Sequence, residues 1–161
     1  MAYTRKRTAK RTRPKDRTCY ETAVYLLQFR DQSEKDLTRK LKEREYTEKE
    51  IEEAMERLRD CEYVNDENLA DELFEAYRRR AQYGDAYIHQ KLKLKGLATE
   101  KHLQLEEEIE MAVALLQKKW GMSPKLRTDF KKSASFLLRR GFSHDAVMTV
   151  MHEMDFEETE E

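Results

Sequence analysis

Three segments of this sequence align without gaps, and the apolar pattern that they share constrains the fold more than any other feature. The segments are LTRKLKEREYTEKEIEEAM from Leu37, IHQKLKLKGLATEKHLQLE from Ile88 and SASFLLRRGFSHDAVMTVM from Ser133. One apolar position recurs at Leu41, Leu92 and Leu137, and another recurs five residues later at Tyr46, Leu97 and Phe142. A period of about 50 residues is too long for two short helices and predicts a repeat of three.

Each copy contains a short stretch typical of one helix ending and the next beginning. The turn position holds Glu45, Gly96 and Gly141, and the cap position holds Thr47, Ala98 and Ser143. Glycine adopts the left-handed conformation that commonly ends a helix, and a hydroxyl caps the next one. Ala98 departs from this pattern, although Thr99 could shift the cap by one residue. We expect the bulky residue between the two positions, Tyr46, Leu97 or Phe142, to be a buried wedge.

The repeat predicts an all-α fold of three tandem three-helix repeats, which would form a curved, elongated, right-handed-type helical array. The expected boundaries are 18–62 for repeat one, 63–106 for repeat two and 107–154 for repeat three, about nine helices in all. Residues 1–17 form a basic tail with almost no apolar residue to bury, so we expect disorder there. Residues 155–161 form an acidic tail.

Composition and capping patterns agree with helices throughout. Charged residues make up 40% of the chain and hydrophobic residues 39%, which suits amphipathic helices better than a thick α/β core. Capping boxes are expected at Thr18 and at Thr47, and Asn65 or Asp66 is expected to cap the helix that follows. The EEEIE run, residues 106–110, fits either a break between helices or the middle of one long helix.

Basic residues are concentrated in repeats two and three. Residues 78–95 contain six bases and one acid, and residues 111–140 contain eight bases and one acid, whereas residues 31–62 contain twelve acids and eight bases. The basic runs are either solvated helix faces or a surface that meets phosphates or an acidic partner. The residues that we expect to contact a partner or DNA are Arg78, Arg79, Arg80, Lys91, Lys95, Lys131, Lys132, Arg139 and Arg140.

Nothing in the sequence indicates catalysis, so we expect a protein that is not an enzyme and needs neither metal nor cofactor. The histidines, His89, His102, His144 and His152, are scattered and show no ligand spacing. Cys19 and Cys61 are far apart, and no phosphate-binding glycine motif is present. No segment approaches the length of a membrane span. We therefore expect a cytoplasmic protein without membrane contact.

One stretch resembles the RecX regulators of bacterial homologous recombination. It is YVNDENLADELFEAYRRRAQYGDAYIHQKLKLKGL, Tyr63 to Leu97, in which Tyr63, Asn65, Asp66, Ala70, Gly84, Ile88, Leu92, Lys95 and Gly96 match. Leu69 and Leu97 depart from that family's aromatic and β-branched residues. The earlier phrase YLLQFRDQSEKDLTRKL, from Tyr25, and the later LLRRGF are similar to the family's first-repeat and third-repeat phrases. The resemblance spans roughly residues 18–154.

The resemblance implies a function. Members of that family bind RecA and RecA–single-stranded-DNA filaments, block filament growth, and suppress ATP hydrolysis, strand exchange and repressor cleavage. It implies a RecA-filament modulator, and we expect a monomer with at most weak nonspecific DNA binding. Two alternatives remain: a free DNA-binding regulator of helix-turn-helix type, and an α-repeat scaffold for another protein. The helix-turn-helix pair that starts at Ser33 has a strongly acidic second helix, with Glu48, Glu50, Glu52, Glu53 and Glu56, which disfavours the first alternative.

Overall fold

A computed structural model of the protein describes residues 16–154, which contain α-helices, one short 3-10 helix and no β-strand. The helices are α1 Cys19–Leu27, α2 Glu34–Lys42, α3 Glu48–Asp60, α4 Asp66–Arg80, α5 Asp85–Leu94, α6 Leu105–Met122, α7 Phe130–Arg139 and α8 His144–Glu153, with the 3-10 turn at Pro124–Leu126. The all-α prediction is confirmed. The two predicted tails lie outside the described residues, apart from residues 16 and 17.

Repeat two differs from its prediction, because residues 63–106 contain two complete helices and not three. After α5 ends, Gly96 turns the chain with a φ of 73°, and residues 97–104 form no helix. Side chains outside this segment hold it: Asp71 accepts a hydrogen bond from the Thr99 hydroxyl, and Asp85 accepts one from the backbone N–H of Leu103. The described residues therefore contain eight α-helices instead of nine.

The EEEIE run begins a long helix and does not interrupt one. Glu106, Glu107 and Glu108 all lie in the first turn of α6. Negative side chains are favourable there because the unpaired N–H groups make that end of a helix positive. The Glu107 carboxylate also accepts a hydrogen bond from the N–H of Gln104, the N-cap residue, at 3.2 Å.

The chain divides into two compact units after Leu69. In the first unit, α1, α2 and α3 pack against one another around a continuous apolar core. That core consists of Cys19, Ala23, Leu37, Leu41, Tyr46, Ile51, Ala54, Met55, Leu58 and Val64. Two buried polar groups are satisfied within it, since the hydroxyls of Thr22 and Tyr46 lie 2.7 Å apart. The Tyr46 hydroxyl also donates to the carbonyl of Arg17 at 3.0 Å.

The second unit is built around α6, which packs against both α7 and α8. Its apolar core consists of Ala112, Leu116, Trp120, Leu137, Phe142, Val147, Val150 and Met151. The indole N–H of Trp120 donates to the Ser133 hydroxyl, which donates in turn to the carbonyl of Leu126. The polar edge of this tryptophan is therefore buried without losing its hydrogen bond.

The three aligned seams have the same backbone structure. Glu45, Gly96 and Gly141 have φ values of 66°, 73° and 81°. In each seam the N–H of the bulky residue bonds to the carbonyl of the leucine five residues earlier, as in Tyr46 to Leu41 at 3.4 Å, Leu97 to Leu92 at 2.9 Å and Phe142 to Leu137 at 3.4 Å. This is the Schellman arrangement, in which a left-handed residue lets the last carbonyls of a helix be satisfied.

The side chains of the seams follow the same plan. Tyr46, Leu97 and Phe142 are all buried. Thr47 and Ser143 are the N-caps of α3 and α8, and their hydroxyls accept from the N–H groups of Glu50 and Ala146. The LLRRGFSHDAV stretch is thus a helix–helix turn that packs Phe142 into the core.

The seam at Glu45 gives a first stability prediction. A non-glycine residue in the left-handed region is strained by roughly 1 kcal/mol or more, because its Cβ crowds the backbone. We expect Glu45→Gly to raise the free energy of unfolding by about 0.5–1 kcal/mol, since relief of strain exceeds the added entropy of the unfolded glycine. Urea denaturation measures the change, with Glu45→Ala as the control that keeps the Cβ. A glycine variant less stable than the alanine variant would contradict the strain.

The capping role predicted for Asp66 differs in the structure. Asn65 caps α4, because its side-chain oxygen accepts from the N–H of Asn68 at 3.0 Å. Asp66 is the first residue of α4, and its carboxylate accepts from the N–H of Glu34, the first residue of α2, at 3.0 Å. Asp66 therefore caps a different helix. Partial burial raises the pKa of the Asp66 carboxyl, against the opposing effect of that N–H.

Two substitutions of Asp66 distinguish the effect of its hydrogen bond to the N–H of Glu34 from the effect of its charge. We expect Asp66→Ala to lower the free energy of unfolding by about 1 kcal/mol, the usual cost of a lost helix cap. Asp66→Asn should remain close to the wild type, since an amide oxygen accepts the same bond without placing a charge in a partly buried site. Thermal unfolding at neutral pH compares the two. Equal losses in both variants would show that the carboxylate charge, not the hydrogen bond, matters.

Candidate interaction surface

The three arginines that close α4 have different environments. Arg78 is paired: its Nε donates to Oε1 of Glu107 on α6 at 2.7 Å, and it also lies 3.7 Å from Glu75. The hydrogen bond to Glu107 raises the pKa of Arg78. Arg79 and Arg80 are exposed. Arg78 therefore joins α4 to α6, and the two following arginines present their charge to solvent.

The basic residues on α5 and α7 also separate into exposed and engaged groups. Lys91 is half-buried with its Nζ 5.0 Å from the centre of the Tyr87 ring, and Lys95 is half-buried too. Lys131 and Arg139 are exposed. Lys132 lies 2.9 Å from Asp129, the N-cap of α7, and this hydrogen bond raises the pKa of Lys132.

Three tyrosines form a stacked group beside Lys91. The rings of Tyr83 and Tyr87 are parallel, with centroids 3.9 Å apart and an interplanar angle of 7°. Tyr77, from α4, meets both rings edge-on at 6.1 and 6.3 Å. All three rings are half-buried. Their positions are mutually fixed, and part of each ring remains accessible.

Arg140 joins this group to α7. Its guanidinium carbon lies 5.2 Å from the centre of the Tyr83 ring and 5.2 Å from that of Phe136. One of its nitrogens donates to the carbonyl of Gln82 at 3.3 Å. We call the set Tyr77, Tyr83, Tyr87, Lys91, Phe136 and Arg140 the tyrosine–arginine cluster. Within it, cations lie against ring faces, which attract positive charge.

Two glycines bring the parts of this cluster together. The N–H of Gly84 donates to the carbonyl of Arg140 at 2.8 Å. A Cβ at Gly84 would lie 2.3 Å from the backbone oxygen of Gly141 and from the nitrogen of Phe142, and a Cβ at Gly141 would lie 2.4 Å from Tyr87. The start of α5 and the α7–α8 turn therefore touch backbone to backbone, which only glycine allows.

A buried carboxylate supports the same junction. Glu108, on α6, is 4% exposed, and its Oε1 accepts from the N–H of Asp85 at 2.9 Å. Its carboxylate also accepts from the N–H of Ser143, at 3.3 Å to the nearer oxygen. Asp85 begins α5 and Ser143 caps α8, so one negative side chain satisfies the positive ends of two helices.

The structure brings together only part of the set predicted from the sequence. Lys91 and Arg140 belong to the tyrosine–arginine cluster, whereas Arg78 and Lys132 are held by acids. The three tyrosines were not among the residues that the sequence analysis expected to contact a partner. Their signal in the sequence is a run of three arginines flanked by tyrosines in YRRRAQYGDAY, residues 77–87. Such a surface can hold phosphates on its cations and stack planar groups on its rings.

One group of side chains could hold a metal ion. Asp85, His89 and His102 each place one ligand atom within 4.8 Å of the others. The sequence did not indicate this group, because His102 reaches the other two from the non-helical segment 97–104. Among residues 16–154, no helix has the length and apolar character needed to cross a membrane.

Comparisons with known proteins identify relatives of this chain. Residues 19–58 match the family model for the first three-helix domain of RecX, and residues 106–151 match the model for its third three-helix domain. The chain is 34% identical over 155 residues to the regulatory protein RecX of Actinobacillus pleuropneumoniae serotype 5b, covering 89% of this chain and 96% of that protein. It is 29% identical over 139 residues to that of Trichlorobacter lovleyi, covering 80% and 90%.

Solved structures show the same fold. The crystal structure of RecX from Lactobacillus salivarius superposes with a TM-score of 0.72 at 25% identity, covering 84% of this chain and 93% of that one. A second crystal structure of a regulatory protein RecX gives a TM-score of 0.74 at 23% identity, covering 84% and 72%.

Proposed function

Because the chain belongs to the RecX family of regulatory proteins, we propose that it binds RecA filaments on single-stranded DNA and stops their extension. It acts without catalysis of its own, and lowers RecA's ATP hydrolysis, strand exchange and coprotease activity by limiting the active filament. The observation that carries the proposal is the tyrosine–arginine cluster with the exposed bases on the helices that build it.

The chemistry of the cluster fits such a partner. A RecA filament on single-stranded DNA offers phosphates and bases together with a protein surface. Stacking of nucleobases on aromatic rings is tolerant of DNA sequence and contributes about 1–3 kcal/mol per nucleobase. A groove lined by basic residues follows the sugar–phosphate backbone of the DNA. The pairing of Arg140 with two rings fixes a cation in place before any partner binds, which reduces the ordering cost of binding.

The basic residues have two proposed roles: some contact the partner, and others hold helices in position. The residues that we propose to contact the RecA filament are Arg79, Arg80, Lys91, Lys95, Lys131, Arg139 and Arg140. Arg78 and Lys132 are paired with acids. Arg78 binds Glu107 and so links α4 to α6, and Lys132 binds Asp129, the N-cap residue of its own helix, α7.

Inhibition restricts the mode of binding. A ligand shifts an equilibrium only by binding one state more tightly than the other. A protein that bridges neighbouring RecA subunits would stabilise the filament. Inhibition therefore requires that the chain block the growing end or favour a filament geometry that cannot extend.

A free DNA-binding regulator fits the structure less well. The turn between α2 and α3 does pair two helices in the manner of a helix-turn-helix. The exposed face of α3, however, carries Glu48, Glu52, Glu53 and Glu56. These acids would meet the phosphates that line a DNA groove and would be repelled by them.

RecA's ATP hydrolysis on single-stranded DNA tests the proposal. We expect the wild-type chain to lower the steady-state rate, and Arg79→Glu/Arg80→Glu to need at least about ten times more protein for the same effect. The matched control is Lys35→Glu/Lys49→Glu, the same charge change at exposed lysines of the first unit. We expect the control to act like the wild type. Equal inhibition by both double variants at several salt concentrations would contradict the proposed surface.

A further inference from the structure

We infer that Asp85, His89 and His102 form a binding site for one divalent d-block cation, of which Zn²⁺ is the best fit. Asp85 is the first residue of α5, and His89 follows it one turn later on the same face. His102 belongs to the non-helical segment 97–104. The inference goes beyond the proposed regulation of RecA and does not depend on it.

The spacing of the ligand atoms suits a small ion. Nδ1 of His102 lies 2.8 Å from Oδ2 of Asp85, and Nε2 of His89 lies 3.6 Å from the same oxygen. Nitrogen and oxygen ligands about 2.0–2.1 Å from a tetrahedral zinc ion lie about 3.3 Å from one another. The two distances bracket that value. Nε2 of His89 also lies 3.0 Å from the carbonyl oxygen of Lys101, so an ion would replace the hydrogen bond between them.

Neighbouring groups orient each ligand. The second oxygen of Asp85 accepts from the N–H of Leu103 at 2.7 Å, which leaves Oδ2 directed at the histidines. The His89 ring packs against Phe74, with centroids 5.9 Å apart, and stacks on His102 at 4.5 Å. Outer contacts of this kind fix the orientation of metal ligands and strengthen binding.

The ligand types select the ion. Two imidazoles and one carboxylate suit zinc and other late first-row ions, whereas Mg²⁺ and Ca²⁺ prefer a shell made of oxygen atoms. The His102 side chain is 58% exposed, and those of Asp85 and His89 are 24% and 27% exposed. The site is therefore open on one side, where water completes a fourth position.

Binding would add a further link to a non-helical part of the second unit. Segment 97–104 takes the place of the third helix expected in repeat two and lacks the internal hydrogen bonds of a helix. An ion held by His102 and by two residues of α5 would join this segment to the helix. Because the folded chain positions the three ligands, the ion would stabilise the folded state by mass action.

Calorimetric titration of the full chain with Zn²⁺ tests the site. We expect one ion per chain for the wild type and for His152→Asn, which alters an exposed histidine of α8. His102→Asn should weaken binding by more than about ten-fold, since a first ligand contributes at least as much as its outer contacts. Excess Mg²⁺ should not compete. Because the His102 side chain is exposed, we expect its replacement to leave the fold intact. Helicity of the metal-free His102→Asn variant equal to that of the wild type verifies this.

Thermal unfolding gives a second readout. Zn²⁺ should raise the melting temperature of the wild type and of His152→Asn, and should leave that of His102→Asn unchanged. His89→Asn should behave like His102→Asn. Absence of zinc binding by the wild type, or zinc binding by His102→Asn with wild-type affinity, would overturn the assignment. Either result leaves the RecA assays unaffected, because those depend on other residues.

Discussion

Replacement of Gly84 by alanine is expected to lower the free energy of unfolding by about 3 kcal/mol, the upper part of the range for overpacked sites. The φ and ψ of Gly84, −78° and 172°, are open to any residue, so the backbone conformation is not the cause. The cause is steric. The new Cβ would lie 2.3 Å from the oxygen of Gly141 and the nitrogen of Phe142. Both are backbone atoms of a packed turn and cannot rotate away.

Gly121 supplies the matched control. It lies within α6, and a Cβ there would meet nothing within 4 Å. Alanine is a better helix former than glycine, so Gly121→Ala should raise stability by up to about 0.5–1 kcal/mol. The same substitution is thus expected to act in opposite directions at the two sites. Urea denaturation of the full chain measures both, and a Gly84→Ala variant as stable as the wild type would refute the close backbone contact.

Loss of the Glu108 carboxylate is the second large effect. We expect Glu108→Ala to lower the free energy of unfolding by about 3 kcal/mol. Hydrogen bonds to a charged group contribute about 1.5–3 kcal/mol each. The variant also no longer buries a charge, and the desolvation cost that it avoids offsets part of the stability lost with the two bonds. The variant leaves the N–H groups of Asp85 and Ser143 without their acceptor where two helices begin. It should therefore weaken the junction that carries the tyrosine–arginine cluster.

Two further variants isolate the cause. Glu110→Ala changes an exposed glutamate of the same helix and should alter stability by less than about 0.5 kcal/mol. Glu108→Gln keeps an oxygen that accepts one of the bonds but removes the charge, so it should fall between the wild type and Glu108→Ala. Chemical denaturation ranks the three. Equal stability of Glu108→Ala and Glu110→Ala would mean that the carboxylate does not hold the two helix ends together.

Local features of the fold could be predicted from the sequence because they depend on neighbouring residues. The left-handed turns at Gly96 and Gly141 follow from glycine's lack of a Cβ, and the caps at Thr47 and Ser143 follow from short-range hydrogen bonds. Alignment with the two glycines also indicated the turn at Glu45, although glutamate rarely adopts that conformation. The burial of Phe142 follows from its place in the apolar repeat.

The features that the sequence did not indicate depend on contacts between distant residues. Asp66 follows a capping residue in the sequence, yet it caps a helix more than 30 residues earlier. Glu108 belongs to an acidic run whose other members face solvent or pair with bases, and only the packed structure shows its burial. Segment 97–104 aligns with helical copies but is held by Asp71 and Asp85, so side-chain contacts replace a helix there.

The same limit applies to the candidate surface. The concentration of basic residues indicated a surface on repeats two and three. It did not show that Arg79 is exposed whereas Arg78 is paired with an acid. The difference is the Glu107 carboxylate, which lies 29 residues further along the chain. The stacked tyrosines likewise come together through Gly84 and Gly141, whose close approach is a property of the folded chain.

We propose that this chain recognises RecA assembled on single-stranded DNA through exposed basic residues, Arg79 and Arg80 of α4 among them. Co-sedimentation with RecA–ATP–single-stranded-DNA filaments, compared with co-sedimentation with the same DNA alone, measures this recognition. We predict that the wild type binds the filament at a much lower concentration than it binds bare DNA, and that Arg79→Glu/Arg80→Glu loses the difference. Equal binding to filament and bare DNA, or unchanged filament binding by that variant, would contradict recognition of the filament through these residues.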